Sequence, residues 1–134
     1  MRETAIEIAE AVRRGERRAV EVLDEALAAI RAGNDRLGAF VHVDEELARR
    51  AAERVDATVT AGRDPGPFAG VPIGVKDLED CAGMPTTHGS LAFAGRGPVA
   101  EDSIHVARLR AAGAVPVGKT ATPEFGTLNF TRTK

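Results

Sequence analysis

A lysine inside a short apolar run is the residue whose setting most suggests chemistry. Lys76 lies in Val71–Leu78, where an alternating pattern predicts a β-strand whose Lys76 face also carries Pro72 and Gly74. A lysine can accept a proton near neutral pH only where burial or a like charge disfavours its ammonium form. It could therefore be a general acid–base, or a strand-edge lysine whose stem covers apolar surface while its amine stays in water. Spacing alone favours the second interpretation.

The segment after this strand has the composition of an ordered loop. It reads CAGMPTTHGS from Cys81 to Ser90 and is rich in glycine, threonine and serine, with one proline. Catalytic and ligand-binding groups are often found on loops held by a rigid strand. We therefore take the strand and the loop together as the candidate site.

The stretch Gly70–Ser90, GVPIGVKDLEDCAGMPTTHGS, resembles the first signature block of the amidase signature family. The family pattern is a G-V-P-[ILF]-x-[VL]-K-D strand followed by a G-x-x-T-T-x-G-S loop. The matching residues are Gly70, Val71, Pro72, Lys76, Asp77, Gly83, Thr86, Thr87, Gly89 and Ser90. Asp102–Phe125 is similar to a later family segment that ends in G-K-T-x-x-P-E-F, so the resemblance covers essentially the whole chain.

The resemblance implies an amidase that hydrolyses a carboxamide to a carboxylate and ammonia through an acyl-enzyme. In the family a serine attacks the carbonyl carbon, and a second serine, held by a cis peptide, relays its proton to a lysine. That lysine maps onto Lys76, which we expect to be the catalytic general acid–base of this Ser–cis-Ser–Lys triad. The assignment reverses the preference that spacing alone gives.

The two family serines lie in a Gly/Ser-rich block, G-G-S-S-G-G, beyond the lysine segment. No such block occurs in these 134 residues, and neither Ser90 nor Ser103 matches it. We therefore expect the chain to be the N-terminal, truncated part of an amidase signature domain, without activity of its own.

Periodicity and capping signals predict an α/β fold. Three helices are expected to begin at capping residues: Thr4, which forms a Thr4-x-x-Glu7 capping box, Asp44 and Thr122. Two more helices are expected over Arg18–Ala32 and Asp102–Ala112. Further strands are expected at Ala39–Val43 and Ala114–Val117. Residues 62–67, GRDPGP, form a turn-rich break. We expect a helical layer over residues 1–64 and the start of the mixed-sheet core over residues 65–134, within one amidase signature domain.

A second motif suggests nucleotide binding. Gly113–Thr120, GAVPVGKT, satisfies the P-loop pattern G-x4-G-K-[ST]. A P-loop needs a strand, a flexible loop and then a helix whose amides hold phosphate. Here a helix is predicted before Gly113, and the four residues between the glycines form an apolar, strand-like run. We therefore interpret Gly118, Lys119 and Thr120 as a strand end and argue against a P-loop NTPase.

Composition limits the partners. The net charge of −2 argues against nucleic acid or an anionic membrane as the main partner. His42, His88, His105 and Cys81 lack zinc-type spacing, so we expect neither a metal nor a cofactor. The lone cysteine suits a reducing cytoplasm. The expected partner is a small-molecule amide, with a homodimer possible by family analogy.

Two other hypotheses stay open. One is the A subunit of the tRNA-dependent amidotransferase, a member of the same family that works within a complex on aminoacyl-tRNA. The other is a truncated, non-catalytic binding fragment.

Overall fold

In the computed structural model, which describes residues 3–128 and 130–131, helices pack on a mixed three-stranded sheet. The helices are α1 (Ala5–Arg13), α2 (Ala19–Leu37), α3 (Glu45–Thr60) and α4 (Ile104–Ala111); the strands are β1 (Phe40–Val43), β2 (Pro72–Lys76) and β3 (Val115–Thr120). Two 3-10 turns lie at Leu91–Phe93 and Glu124–Gly126. The predicted α/β class with a mixed sheet is confirmed.

The helix starts follow from local capping. The Thr4 hydroxyl accepts a hydrogen bond from the Glu7 amide at 3.2 Å, while the Glu7 carboxylate accepts one from the Thr4 amide at 2.6 Å. These reciprocal bonds form the predicted capping box and hold the pKa of Glu7 below its usual value. At α3, Asp44 accepts a bond from the Leu47 amide at 2.8 Å, as its position predicted.

Helix α2 continues beyond its predicted end at Ala32. It ends at Leu37, followed by Gly38 in the left-handed conformation with φ of 59°. Asn34, two residues past the predicted end, bonds through its side chain to both the amide and the carbonyl of Phe40, at 2.7 and 2.9 Å. This side chain therefore connects the helix to β1, which explains why a turn-forming residue lies within the helix.

The strand order is β1-β3-β2, with β3 antiparallel to β1 and parallel to β2. Pro116 in the central strand is unexpected, since proline cannot donate to a ladder. It lies where the β2–β3 register shifts between Ile73 and Gly74, and the β1 partners begin only at Gly118. The proline is tolerated because it lies at this irregularity.

Gly118 allows β1 and β3 to approach closely. A Cβ at this position would lie 2.2 Å from the carbonyl oxygen of His42, which belongs to the strand backbone and cannot easily move.

We predict that Gly118→Ala lowers the free energy of unfolding by about 1–3 kcal/mol, the usual range for overpacking. Urea unfolding measures the change, with Gly95→Ala as the control because a Cβ there meets nothing within 4 Å. Equal losses in the two variants would contradict this explanation.

The main core joins the helical layer to the sheet. Its buried residues are Val12, Ala19, Val20, Val22, Leu23, Leu27, Ala48, Ala51, Ala52, Val55, Ala69, Val115 and Val117. A second cluster contains Val75, Cys81, Met84 and Val106 beside the candidate site. The sheet takes strands from both sides of the expected division at residue 64, and that division stays a prediction.

Two expectations near the end of the chain were wrong. Helix α4 begins at Ile104, with Ser103 at its N-cap position, and not at the predicted Asp102. The Asp102 carboxylate instead accepts a bond from the Ala82 amide at 2.7 Å and pairs with Arg110 at 2.9 Å, so long-range contacts override capping. Among the described residues after Thr122 (up to 128, and 130–131), the predicted helix is replaced by the turn Glu124–Gly126, in which Phe125 has a non-helical φ of 51°.

Candidate active site

Lys76 is the last residue of β2, and its side chain is exposed. Val75 and Asp77, its neighbours in the chain, are buried and face the other way, as strand alternation predicts. Lys76 lines an open groove of about 290 Å³ with Glu79 and His105, whose carboxylate and imidazole lie 3.1 Å apart. Within the described residues the expected dry environment around Lys76 is therefore not present.

The buried lysine of the site is Lys119, which is 0% exposed. Its ammonium donates to the carbonyl oxygen of Pro85 at 2.9 Å and to the hydroxyl of Thr86 at 2.8 Å, and lies 3.3 Å from a carboxylate oxygen of Asp77. An ammonium has three N–H donors, and these contacts supply three acceptors. Lys119 is thus a fully partnered buried cation and not a phosphate-binding group.

Asp77 is 1% exposed, and its carboxylate forms a buried ion pair with the Lys119 ammonium. Its carboxylate accepts hydrogen bonds from the amide of Thr87, at 3.0 Å, and from the hydroxyl of the same residue. The Asp77 amide donates to the Thr120 carbonyl at 3.0 Å, which extends the β2–β3 pairing by one residue. Buried ions are tolerated only with such complete partnering.

Sequence reasoning missed this pair. The alternation predicted for the Lys76 strand puts Asp77 on the opposite face, as observed, but Lys119 was interpreted only as part of a strand end. One signal was available: Lys119 lies near the end of an apolar, strand-like run, and a buried lysine needs an acidic partner. Choosing Asp77 as that partner requires the β2–β3 register, in which Val75 lies beside Lys119, and this register is a long-range property.

Hydrogen bonds hold the C-terminal end of the loop that follows β2. The Ser90 hydroxyl donates to the Glu124 carboxylate at 2.5 Å, and the Phe125 amide donates to the His88 carbonyl at 2.8 Å. The His88 ring packs against the rings of Phe93 and Phe125, with centroids 5.3 and 6.1 Å away. These contacts and the Asp77–Lys119 pair hold the loop against the strand ends.

Cys81, the first residue of this loop, lies in an environment unlike that of a nucleophilic cysteine. It is 0% exposed, and burial raises the pKa of its thiol, although the Arg110 guanidinium, 3.1 Å from the sulfur, acts in the opposite direction. A reactive cysteine needs a lowered pKa and some exposure. Cys81 has neither property, so it is a poor candidate for a catalytic nucleophile.

We predict that native Cys81 reacts with iodoacetamide at least about a hundredfold more slowly than in urea, because reaction requires local opening. The thiol must also lose its proton, so the native rate should still be rising with pH above about 8.5, the ordinary thiol pKa. The unfolded thiol ionises first, so this group makes the chain less stable as the pH rises above that value. Mass spectrometry of timed samples follows the reaction, and rapid native alkylation at pH 7 would contradict the prediction.

Comparison with known proteins connects this geometry to a family. The sequence profile of the family described as Amidase matches residues 21–134. The chain is 50% identical over 122 residues to the glutamyl-tRNA(Gln) amidotransferase A subunit of Salinispora arenicola (strain CNS-205), covering 91% of this chain and 25% of that protein. It is 44% identical over 122 residues to an amidase of Pseudomonas putida, covering 91% of this chain and 26% of that protein. The chain spans about a quarter of the length of these relatives.

Solved structures give the same result. A bacterial aryl acylamidase of the amidase signature enzymes superposes with a TM-score of 0.87 at 26% identity, covering 96% of this chain and 27% of its own. A peptide amidase from Stenotrophomonas maltophilia superposes with a TM-score of 0.83 at 33% identity, covering 90% of this chain and 25% of its own. With the family profile, these matches show that the chain belongs to the amidase signature family.

Proposed function

We propose that this chain forms part of an enzyme that hydrolyses a carboxamide to a carboxylate and ammonia, with Lys76 as general acid–base. The fixed position of Lys76 carries the proposal. Its carbonyl accepts a hydrogen bond from the Glu79 amide at 2.9 Å, and the next residue, Asp77, is anchored in the buried pair. The side chain therefore leaves a rigid strand end toward an open groove, where a substrate and further catalytic groups could lie.

In the proposed reaction a serine hydroxyl attacks the amide carbonyl carbon. A neutral Lys76 amine accepts the hydroxyl proton through a second serine and returns it to the nitrogen that leaves as ammonia. Water then hydrolyses the acyl-enzyme. This role requires further protein surface over the groove, because an amine surrounded by water keeps its proton. Both serines belong to the Gly/Ser-rich block of the family and not to Ser90 or Ser103.

The proposal is tested on the protein expressed from its full reading frame. We expect ammonia release from at least one of acetamide, benzamide and glutamine. Hydroxylamine should divert the acyl-enzyme to a hydroxamate, since it competes with water for the acyl group. Folded protein that forms neither ammonia nor a hydroxamate from any of the three would contradict the proposal.

The 134-residue chain alone should show no amide turnover, because the proposed nucleophile is not among its residues. An ammonia assay with the same three amides measures this, with the full reading frame as the positive control. Turnover by the isolated chain that disappears in Lys76→Ala would show instead that these residues contain their own nucleophile.

The amidotransferase A subunit is the second candidate. It is favoured by identities of 50% and 46% to the glutamyl-tRNA(Gln) amidotransferase A subunits of Salinispora arenicola and Rhodopirellula baltica. In that case glutamine would supply the ammonia, and aminoacyl-tRNA and other subunits would be partners. Genes for those subunits beside this one, and hydrolysis restricted to glutamine, would favour this candidate. Hydrolysis of acetamide or benzamide without them would favour an amidase.

The remaining expectations are also proposals. A non-catalytic fragment stays the third hypothesis, and a stop codon directly after Lys134 would favour it. A cytoplasmic location and a homodimer remain predictions. Among residues 3–128 and 130–131, no helix combines the length and apolar character needed to cross a bilayer. The GKT segment lies within strand β3, which supports the rejection of a P-loop.

A further inference from the structure

We infer that Asp77 and Lys119 are positioning residues for Lys76, an inference that rests on the proposed catalytic role of Lys76. Their buried ion pair joins the end of β2, the middle of the following loop and the end of β3. It thereby fixes the backbone from which the Lys76 side chain leaves the sheet.

The first step is the register of the two strands. In the parallel pairing, Val75 lies beside Lys119 and Lys76 beside Thr120. Side chains alternate, so Val75 and Asp77 share the buried face with Lys119, while Lys76 points to the opposite face. The pair can therefore act on Lys76 only through the backbone, since the two lysine side chains lie on different faces of the sheet.

The second step is the loop. Lys119 binds the Pro85 carbonyl and the Thr86 hydroxyl, and Asp77 binds the amide and hydroxyl of Thr87. Three successive loop residues are thus attached to one ion pair located beside Lys76 in the sheet. A shift of the loop would break charge-assisted bonds in a dry site, where they are strongest. The network therefore resists displacement of the whole strand end.

The third step is energetic. A buried ion pair is often no more stabilising than apolar residues of similar volume, because desolvation offsets the attraction. Stability alone is therefore a weak reason for a lysine and an aspartate to be buried here. Exact placement of an adjacent catalytic group is a stronger reason, since a displacement of about 1 Å can reduce a rate about a hundredfold.

The test is a double-mutant cycle in the protein expressed from its full reading frame, measured with whichever of acetamide, benzamide or glutamine it hydrolyses. Asp77→Asn retains the shape and removes the charge. We expect it to lower kcat about 10- to 100-fold while KM changes less than about threefold. In a Lys76→Ala background, Asp77→Asn should reduce the residual rate no further, because it acts through Lys76. Circular dichroism shows that each variant is folded.

A milder variant keeps the inference testable if Asp77→Asn does not fold. Thr87→Val removes the hydroxyl that donates to Asp77 and leaves the ion pair in place. It should lower kcat less than Asp77→Asn does, and again only when Lys76 is present. Thr127→Val is the control, because its hydroxyl is exposed and bonds only to the nearby Glu124 carbonyl among the described residues, and it should leave kcat unchanged.

The outcomes separate the inference from the proposed function. If Lys76→Ala removes activity but folded Asp77→Asn and Thr87→Val retain wild-type kcat, positioning is wrong and the proposed function stands. Equal losses with and without Lys76 would also overturn positioning, because they indicate a general structural effect. If Lys76→Ala keeps full turnover, the proposed catalytic role of Lys76 fails and the inference fails with it, although amide hydrolysis itself stands.

Discussion

Lys76→Ala should lower kcat for amide hydrolysis by about 10²- to 10⁴-fold in the protein expressed from its full reading frame, the usual contribution of a general acid–base. The substitution removes the proposed proton acceptor, while the Asp77 and Lys119 contacts remain in place. KM should change much less, because proton transfer is needed in the transition state and not for substrate binding. Ammonia release under saturating substrate measures the effect.

Lys76→Arg distinguishes a base from a simple cation. Arginine keeps the positive charge and similar length but does not lose its proton in proteins. We therefore expect Lys76→Arg to be as impaired as Lys76→Ala. If Lys76 serves only to attract an anionic substrate, Lys76→Arg should recover most of the activity, and the general acid–base role would be excluded.

Arg50→Ala is the matched control for the loss of a cation. Arg50 is exposed on α3 and pairs with Glu46 one turn away. Exposed pairs of this kind contribute little to stability, about 0.3–0.5 kcal/mol. The variant should retain wild-type kcat. A similar loss of activity in Arg50→Ala and Lys76→Ala would show that the Lys76 effect is not specific to the site.

Much of the fold could be predicted because its signals are local. The capping box at Thr4, the cap at Asp44 and the alternation around Lys76 each depend on a few neighbouring residues, and the structure contains all three. Helix α2 and the start of α4 differ from prediction because Asn34 and Asp102 bond to residues in other elements. Such bonds depend on tertiary structure and leave no local pattern.

The candidate site, like the fold, was predictable only where its features depend on neighbouring residues in the sequence. The position of Lys76 at a strand end followed by an ordered loop could be predicted from sequence. Its exposure could not, because burial depends on what covers the groove beside β2. The pairing of Asp77 with Lys119 depends on residues 42 positions apart meeting through the β2–β3 register, so local reasoning could not reveal it.

The buried pair should also have a large effect on stability. We predict that Lys119→Met lowers the free energy of unfolding of this chain by about 3–5 kcal/mol, the usual cost of leaving a buried charge without its partner. Methionine has a similar length, so lost volume contributes little. Without the ammonium, Asp77 keeps its bonds to Thr87 but loses its counter-charge, and the Pro85 carbonyl loses a donor. Urea unfolding followed by circular dichroism measures the loss.

The double variant Asp77→Asn with Lys119→Met tests whether the unpaired charge causes that loss. Asparagine is neutral. Its one side-chain oxygen can still accept the bond from the Thr87 amide, and its NH2 group can donate to the Thr87 hydroxyl, which in the wild type donates to the second Asp77 oxygen. The double variant should therefore be more stable than Lys119→Met alone, with a coupling energy of about 1–3 kcal/mol. If the two substitutions add without coupling, the stability of this strand end does not come from the ion pair, and packing around the Lys119 stem must explain the cost of its removal.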